Sequence, residues 1–277
     1  MKRIIILALT VLAFSLMLIS CGGTKGLEYE KLEDGTYGVK CGEAINEGEI
    51  VIPKRHSGKR VTAILKSGFS DCKNLTVVKI PKNITKIETG AFLNCKKLTD
   101  AYYGGSIADW CNIDFEHSTS NPMNIAKNFY IDNKAVTEIT IKKIDTIKQY
   151  AFFGFANLTK VTISNDVKVI GESAFAGCKG LKEISLPNEL STLSKFVFSG
   201  CTGFKSVTVP NSVTTVHPLA FYGCLELRDI TFENTENWFT TKDENATNGP
   251  KHEVTDTKNN AKVLTDVSSY FWKRKTQ

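Results

Sequence analysis

Histidine and the motifs of catalytic chemistry are scarce in this sequence. Four histidines occur among 277 residues, scattered along the chain with no spacing suited to a metal ion. The chain has no Gly-x-Ser-x-Gly motif, no phosphate-binding loop and no Cys-x-x-Cys pair. Glu116 and His117 together with Cys111 are a weak indication of a catalytic site, and a polar loop explains them better. These absences predict that the protein is not an enzyme and needs no cofactor or metal.

Charge of one sign is not concentrated in any stretch. The 35 basic and 29 acidic residues are interleaved, and the formal net charge is +6. A nucleic-acid groove would need a basic stripe with aromatic residues between the charges, and the sequence has none. We therefore expect no nucleic-acid partner.

Long apolar runs are missing except at the N-terminus. Lys2 and Arg3 precede a nearly unbroken apolar run over 4–19, which is too short for a comfortable bilayer span and indicates an export signal. Leu18-Ile19-Ser20-Cys21 resembles a bacterial lipobox, which implies cleavage before Cys21 and its acylation. An ordinary signal peptide cut near Ser20, or an uncleaved anchor, is the alternative. The sequence thus predicts a lipoprotein signal peptide over 1–20 and a lipid anchor with its tether over 21–28.

Cysteine, by contrast, recurs at a regular interval. Consecutive members of two groups lie 23 residues apart, namely Cys72 and Cys95, then Cys178, Cys201 and Cys224. Around them the same apolar pattern returns, in one copy as Ala174, Phe175, Cys178, Leu181, Ile184, Leu186, Pro187, Leu190 and Leu193. A fixed period of this length is typical of a leucine-rich repeat solenoid, in which stacked coils bury a face that one coil cannot bury alone.

Each coil is expected to contain a short parallel strand that a proline ends, followed by a helical or turn segment that carries a core phenylalanine. The pattern predicts about seven coils over 50–232. Asp34-Gly35 marks a hairpin in an N-terminal cap over 29–49. The tail over 233–277 loses the period and is expected to cap the last coil, with Trp238 or Trp272 laid over its end.

The repeat pattern is interrupted over 102–135, and Phe155 then stands in a cysteine position. The interruption is rich in aromatic residues, among them Tyr102, Tyr103, Trp110 and Phe115. A long aromatic insertion in a regular array is a candidate binding site. The alternative is that these rings pack the insertion onto the coil beneath it.

The outward positions of the predicted strands form a second candidate surface. Strand alternation places them in two rows, one with Glu138, Lys160, Glu183, Ser206 and Asp229, the other with Thr140, Thr162, Ser185, Thr208 and Thr231. Repeat solenoids commonly bind proteins on such an extended surface, whereas the plainer interpretation is a solvated sheet face.

The five periodic cysteines are predicted to point inward as free thiols that pack like small apolar groups. Stacked neighbours in an exported protein can instead form disulfides. Cys41 and Cys111 lie outside the ladder and are the stronger candidates for a bridge.

These residues carry a family resemblance. The chain resembles the BspA-type leucine-rich repeat proteins in the set Ala91, Phe92, Cys95, Leu98, Ala174, Phe175, Cys178, Leu181, Ile184, Leu186 and Pro187. The resemblance implies a surface lipoprotein of the cell envelope, at the outer membrane or cell surface. It also implies adhesion to host extracellular matrix proteins or to another bacterial surface protein. A periplasm-facing lipoprotein that binds a peptide, glycan or lipid through the aromatic insertion is a second hypothesis, and a structural envelope scaffold is a third.

Overall fold

The computed structural model of the chain describes residues 22–265 and 270–275, so Cys21 and the predicted signal peptide lie outside the described residues. In chain order the strands are β1 Glu28–Lys31, β2 Tyr37–Lys40, β3 Glu49–Val51, β4 Arg55–His56, β5 Lys59–Ile64, β6 Val77–Ile80, β7 Lys86–Ile87, β8 Asp100–Tyr103, β9 Asp114–Phe115, β10 Asn128–Ile131, β11 Lys134–Ala135, β12 Glu138–Ile141, β13 Thr146–Ile147, β14 Lys160–Ile163, β15 Val169–Ile170, β16 Glu183–Ser185, β17 Thr192–Leu193, β18 Ser206–Val209, β19 Thr215–Val216, β20 Asp229–Phe232, β21 Trp238–Thr241 and β22 Phe271–Arg274. Two helices, α1 Ile107–Cys111 and α2 Thr257–Thr265, and three short 3₁₀ turns, Gly42–Asn46, Ser118–Ser120 and Pro122–Asn124, complete the described elements.

The strands stack in two columns, which confirms the predicted solenoid. The front strands are β3, β6, β8, β10, β12, β14, β16, β18 and β20, and hydrogen-bonded neighbours among them run parallel. The back strands are the six-residue β5 and the two-residue β7, β9, β13, β15, β17 and β19. A buried apolar core fills the space between the two columns along the whole stack.

Regular coils owe their shape to the periodic residues. Pro81 follows β6 and Pro210 follows β18, where each ring withholds a ladder donor and ends the strand. Core phenylalanines stack from coil to coil, with ring centroids 5.1 Å apart between Phe152 and Phe175 and 5.9 Å apart between Phe175 and Phe198. The predicted inward position of Phe175 is therefore confirmed.

The segment over 102–135 does not leave the array. It contributes α1, β9 and β10, with β10 pairing in parallel with β8 and β9 pairing in parallel with β7. The stack therefore holds nine described front strands instead of about seven coils. The pattern is lost there because the return from β9 to β10 uses two 3₁₀ turns, capped by His117 and Asn121, in place of the Ala-Phe-x-x-Cys corner.

Phe155 is explained by the same segment. Its ring lies 6.1 Å from Trp110 and 4.9 Å from Phe129, centroid to centroid. A cysteine at this position would leave the space beside these two rings unfilled, and buried cavities are costly.

Both predicted caps are present. β1 and β2 form an antiparallel hairpin at Asp34-Gly35, and β2 continues the back column beside β5. At the other end, β22 pairs antiparallel with β19 and β21. Trp238 and Trp272 are both buried there, so each of the two predicted tryptophans covers the last coil.

Candidate binding face

The outward side chains of the front strands lie in two rows. In the second half of the stack, Glu138, Lys160 and Glu183 are partners across β12, β14 and β16, and the Lys160 ammonium lies 3.1 Å from the Glu183 carboxylate. Ser206 and Asp229 continue this charged row across β18 and β20. The structure thus brings opposite charges together where strand alternation placed them.

The neighbouring row in this half consists of small hydroxyl side chains, and we call it the threonine row. Its members are Thr140, Thr162, Ser185, Thr208 and Thr231, which lie in register within each hydrogen-bonded group of strands. A shallow hollow of about 550 Å³ lies over its middle, lined by Thr162, Ser185 and Thr208 among others.

The same row continues into the first half of the stack with different chemistry. Here it consists of Val51, Lys79, Tyr102 and Tyr130, in register across β3, β6, β8 and β10, and we call it the tyrosine row. The rings of Tyr102 and Tyr130 are stacked, 4.4 Å apart between centroids and within 9° of parallel. The Lys79 ammonium lies 5.8 Å from the centre of the Tyr102 ring, within cation–π range.

Three of the four aromatic residues proposed for ligand contact are core residues, which corrects that prediction. Trp110 and Phe115 are fully buried and Tyr103 is 3% exposed. The Trp110 indole N–H donates to the Ala151 carbonyl at 2.6 Å, which ties α1 to the following coil. Tyr102 alone of the four faces outward, because successive residues of a strand point to opposite faces.

A groove of about 510 Å³ opens over the tyrosine row where its front strands end. Pro53 and Pro81 border it, and Tyr102 and Tyr130 are among the lining residues. Gly22 and Gly23 also line the groove, so the chain leaving Cys21 passes beside it.

Sequence reasoning missed Tyr130, Lys79 and Val51 as outward neighbours of Tyr102. Lys79 and Val51 could have been found, because each occupies the third position of a regular strand. Tyr130 could not, since β10 belongs to the segment without the repeat pattern.

The cysteines of the ladder are buried, as predicted, and the seven described cysteines are free thiols. The Cys201 thiol donates to the Phe175 carbonyl at 3.2 Å, and Cys95, Cys178 and Cys224 make the equivalent bond. Burial raises the pKa of the Cys201 and Cys111 thiols. A protonated buried thiol is a poor nucleophile, so the ladder has a packing role.

Neither a metal centre nor a membrane-spanning helix is found over 22–265 and 270–275. No group of three or more His, Cys, Asp or Glu side chains in this part could hold a metal ion. None of its helices is long and apolar enough to cross a bilayer.

Stacked parallel strands, few helices and a phenylalanine ladder define a leucine-rich repeat solenoid, an architecture typical of binding and scaffold proteins. The BspA type leucine-rich repeat region, in six copies, matches residues 50–121 and 123–243. The chain therefore belongs to the BspA-type leucine-rich repeat family.

Solved structures include similar proteins. The leucine-rich repeat protein of T. pallidum is 20% identical, with a TM-score of 0.50, over 74% of this chain and 89% of that one. A leucine-rich cell surface protein of Faecalibacterium prausnitzii is 16% identical, with a TM-score of 0.37, over 77% of this chain and 94% of that one. A leucine-rich repeat protein of Bacteroides ovatus is 16% identical, with a TM-score of 0.32, over 75% and 93%. The comparison with curated proteins gives no match.

Proposed function

We propose that this chain is a lipid-anchored cell-envelope protein that binds a protein partner through the outward face of its front strands. Adhesion to host matrix proteins or to another bacterial surface protein is the role that the family resemblance implies. The observation that supports a binding role is the tyrosine row, in which two stacked rings and a lysine lie half-exposed beside a groove. Tyrosine is enriched at the energetic centres of protein interfaces.

The face is built for binding without rearrangement. Its side chains stand on hydrogen-bonded strands with a continuous core behind them, so little conformational entropy is lost when a partner docks. The aromatic insertion and the sheet face, considered separately from the sequence, are one surface, because Tyr102 lies in the same row position as Thr140.

The binding test uses the chain from Cys21 to Gln277 and a panel of immobilised matrix proteins, with affinity measured by biolayer interferometry. We expect the double variant Tyr102→Ala, Tyr130→Ala to bind at least about 10-fold more weakly, since truncation of a hot-spot residue typically costs 1 kcal/mol or more. The matched control is Tyr222→Ala, which truncates a tyrosine that is 43% exposed away from both rows. Equal loss in the control, or no loss in the double variant, would contradict the proposed face.

The anchor is tested separately. Radiolabelled palmitate should enter the full-length protein and be absent from a Cys21→Ala variant. Protease shaving of intact cells should remove the solenoid. Complete protection until the membrane is ruptured would argue against surface display and favour the periplasm-facing alternative.

A further inference from the structure

We propose that the groove over the tyrosine row, together with the basic hairpin beside it, binds an extended acidic segment of the partner protein. The basic hairpin is formed by β4 and β5 and carries Lys54, Arg55, Lys59 and Arg60. This inference rests on the proposed function and specifies the chemistry of the ligand at one part of the binding face.

The hairpin concentrates positive charge that the described protein does not neutralise. All four basic side chains are exposed. None of them forms an ion pair with any residue in the described part of the chain, whereas Lys79 pairs with Glu49 and Lys86 with Glu116. The carboxylate of Asp34 interacts with Arg60 at longer range and accepts hydrogen bonds from Thr36.

Its strand register places two like charges opposite each other, because Arg55 is the cross-strand partner of Arg60. Directly opposed like charges destabilise a strand pair, so the hairpin carries a cost that an anionic ligand would relieve.

The hairpin is nevertheless held in one conformation. Ser57 and Gly58 both have positive φ, 46° and 75°, as a tight two-residue hairpin turn requires, and the Arg55 guanidinium donates to the Gly58 carbonyl at 2.8 Å. The His56 ring stacks on Tyr29 of the N-terminal cap, 3.8 Å between centroids. A fixed cationic arm has less entropy to lose on binding than a flexible one.

The hairpin and the groove are contiguous. Lys54 and Arg55 line the groove at one side, and Lys79 lies in its tyrosine row. Asp132 is the one carboxylate among the described lining residues, in the turn between β10 and β11. Charge complementarity therefore favours an anionic ligand.

Shape and polarity favour a peptide over a sulfated glycan. Apolar atoms of Val51, Pro53, Pro81 and the tyrosines line the groove between the charged ends, and a glycan has no apolar side chains to fill it. The groove crosses four front strands spaced about 4.8 Å apart, roughly 14 Å in all, which about four residues of extended chain would span. Strand addition at β3 is blocked because Thr24 already donates its backbone N–H to the Val51 carbonyl at 3.0 Å.

The test measures binding of a fluorescein-labelled peptide of five Glu-Pro repeats to the chain from Cys21 to Gln277, with Gln-Pro and Lys-Pro repeats for comparison. We expect the acidic peptide to bind at least about 10-fold more tightly than either, with affinity falling as salt rises. The double variant Lys54→Gln, Arg60→Gln should bind the acidic peptide at least about 10-fold more weakly. Its Tm should not fall, because the substitution of Arg60 removes the like charge that lies opposite Arg55. The control Lys142→Gln, Lys168→Gln removes the same charge from exposed positions elsewhere and should bind normally.

The inference is overturned by no preference for the acidic peptide, by an equal loss of affinity in the control variant, or by heparin binding that needs the hairpin but tolerates Tyr102→Ala. A chain that binds a matrix protein but not the acidic peptide also overturns it, and leaves the proposed function standing. A chain that binds the peptide but no protein of the panel overturns the adhesion proposal alone.

Discussion

Two consecutive tyrosines show how much a single residue's role depends on its face. Tyr102 stacks on Tyr130 outside the sheet, while Tyr103 lies inside, 5.0 Å from the Trp110 ring between centroids. Burial raises the pKa of the Tyr103 hydroxyl, which keeps it neutral in the core. The two residues are of the same type, and only their alternate positions along the strand place one outside and the other in the core.

Truncation of the two tyrosines is expected to affect different properties, namely stability for Tyr103 and partner binding for Tyr102. Tyr103→Ala should lower the free energy of unfolding by about 3 to 5 kcal/mol, because it empties a core site between aromatic rings. Tyr102→Ala should cost about 1 kcal/mol or less while weakening partner binding. Urea denaturation of both variants checks this, and equal destabilisation would contradict the inward and outward assignment.

The phenylalanine ladder gives a second expectation at the residue scale. Phe175 is fully buried between two ladder rings, so Phe175→Ala should cost about 3 to 5 kcal/mol by leaving a cavity. Leu225→Ala is the control, since Leu225 is 69% exposed. A change in Tm below about one degree for Phe175→Ala would contradict its place in the core.

Among the elements, the C-terminal cap stands out because two histidines pack against its last strand. The His252 ring lies 4.0 Å from Trp272 and the His217 ring 4.9 Å from Phe271, centroid to centroid. Burial lowers the pKa of both imidazoles, although Glu244 near His217 and Glu253 near His252 oppose this. The cap is therefore most stable with both rings neutral.

The cap should weaken in mild acid. Because the folded pKa values lie below the unfolded value of about 6.5, the folded state binds fewer protons, and the stabilisation is present above that pH and lost as pH falls through the folded pKa values. We expect Tm to be nearly constant from about pH 8 to 7 and to fall below about pH 6.5. A His217→Gln, His252→Gln double variant should flatten this profile, and an unchanged profile would contradict the role of these two rings.

At the scale of the whole molecule, nine front strands spaced about 4.8 Å apart give a stack roughly 38 Å long. Each coil packs only against its neighbours, so the two halves of the stack are joined through the irregular segment that lies between them. Trp110, Phe129 and Phe155 form the cluster that joins them.

Deletion of residues 102–135 should therefore prevent folding, whereas deletion of a surface loop would leave the fold intact. The deletion takes Trp110, Phe115 and Phe129 out of the core and exposes Phe155. The matched control deletes 181–203, one full 23-residue period, which should leave a shorter folded solenoid. Circular dichroism and size-exclusion chromatography compare the two, and a folded 102–135 deletion would show that the segment is an appended loop.

Much of the architecture could be predicted because the same apolar pattern returns in each regular coil. Cys178, Phe175 and Leu181 recur at a fixed period, and identical packing demands at each coil leave identical apolar spacing. The rows from Glu138 to Thr231 followed from alternation alone. The segment after Ala101 could not be assigned, since it meets the same inward demands with unrelated residues and different turns.

The sequence by itself determined the solenoid, its two caps and the inward cysteine ladder, because these depend on local period and on burial of apolar side chains. Only the tertiary structure decided which residues share the candidate binding face. Tyr102 and Tyr130 are 28 residues apart and meet through strand register. The basic hairpin borders their groove only because the coils stack. Contacts between coils depend on which strand lies beside which, and no local pattern carries that information where the repeat is broken.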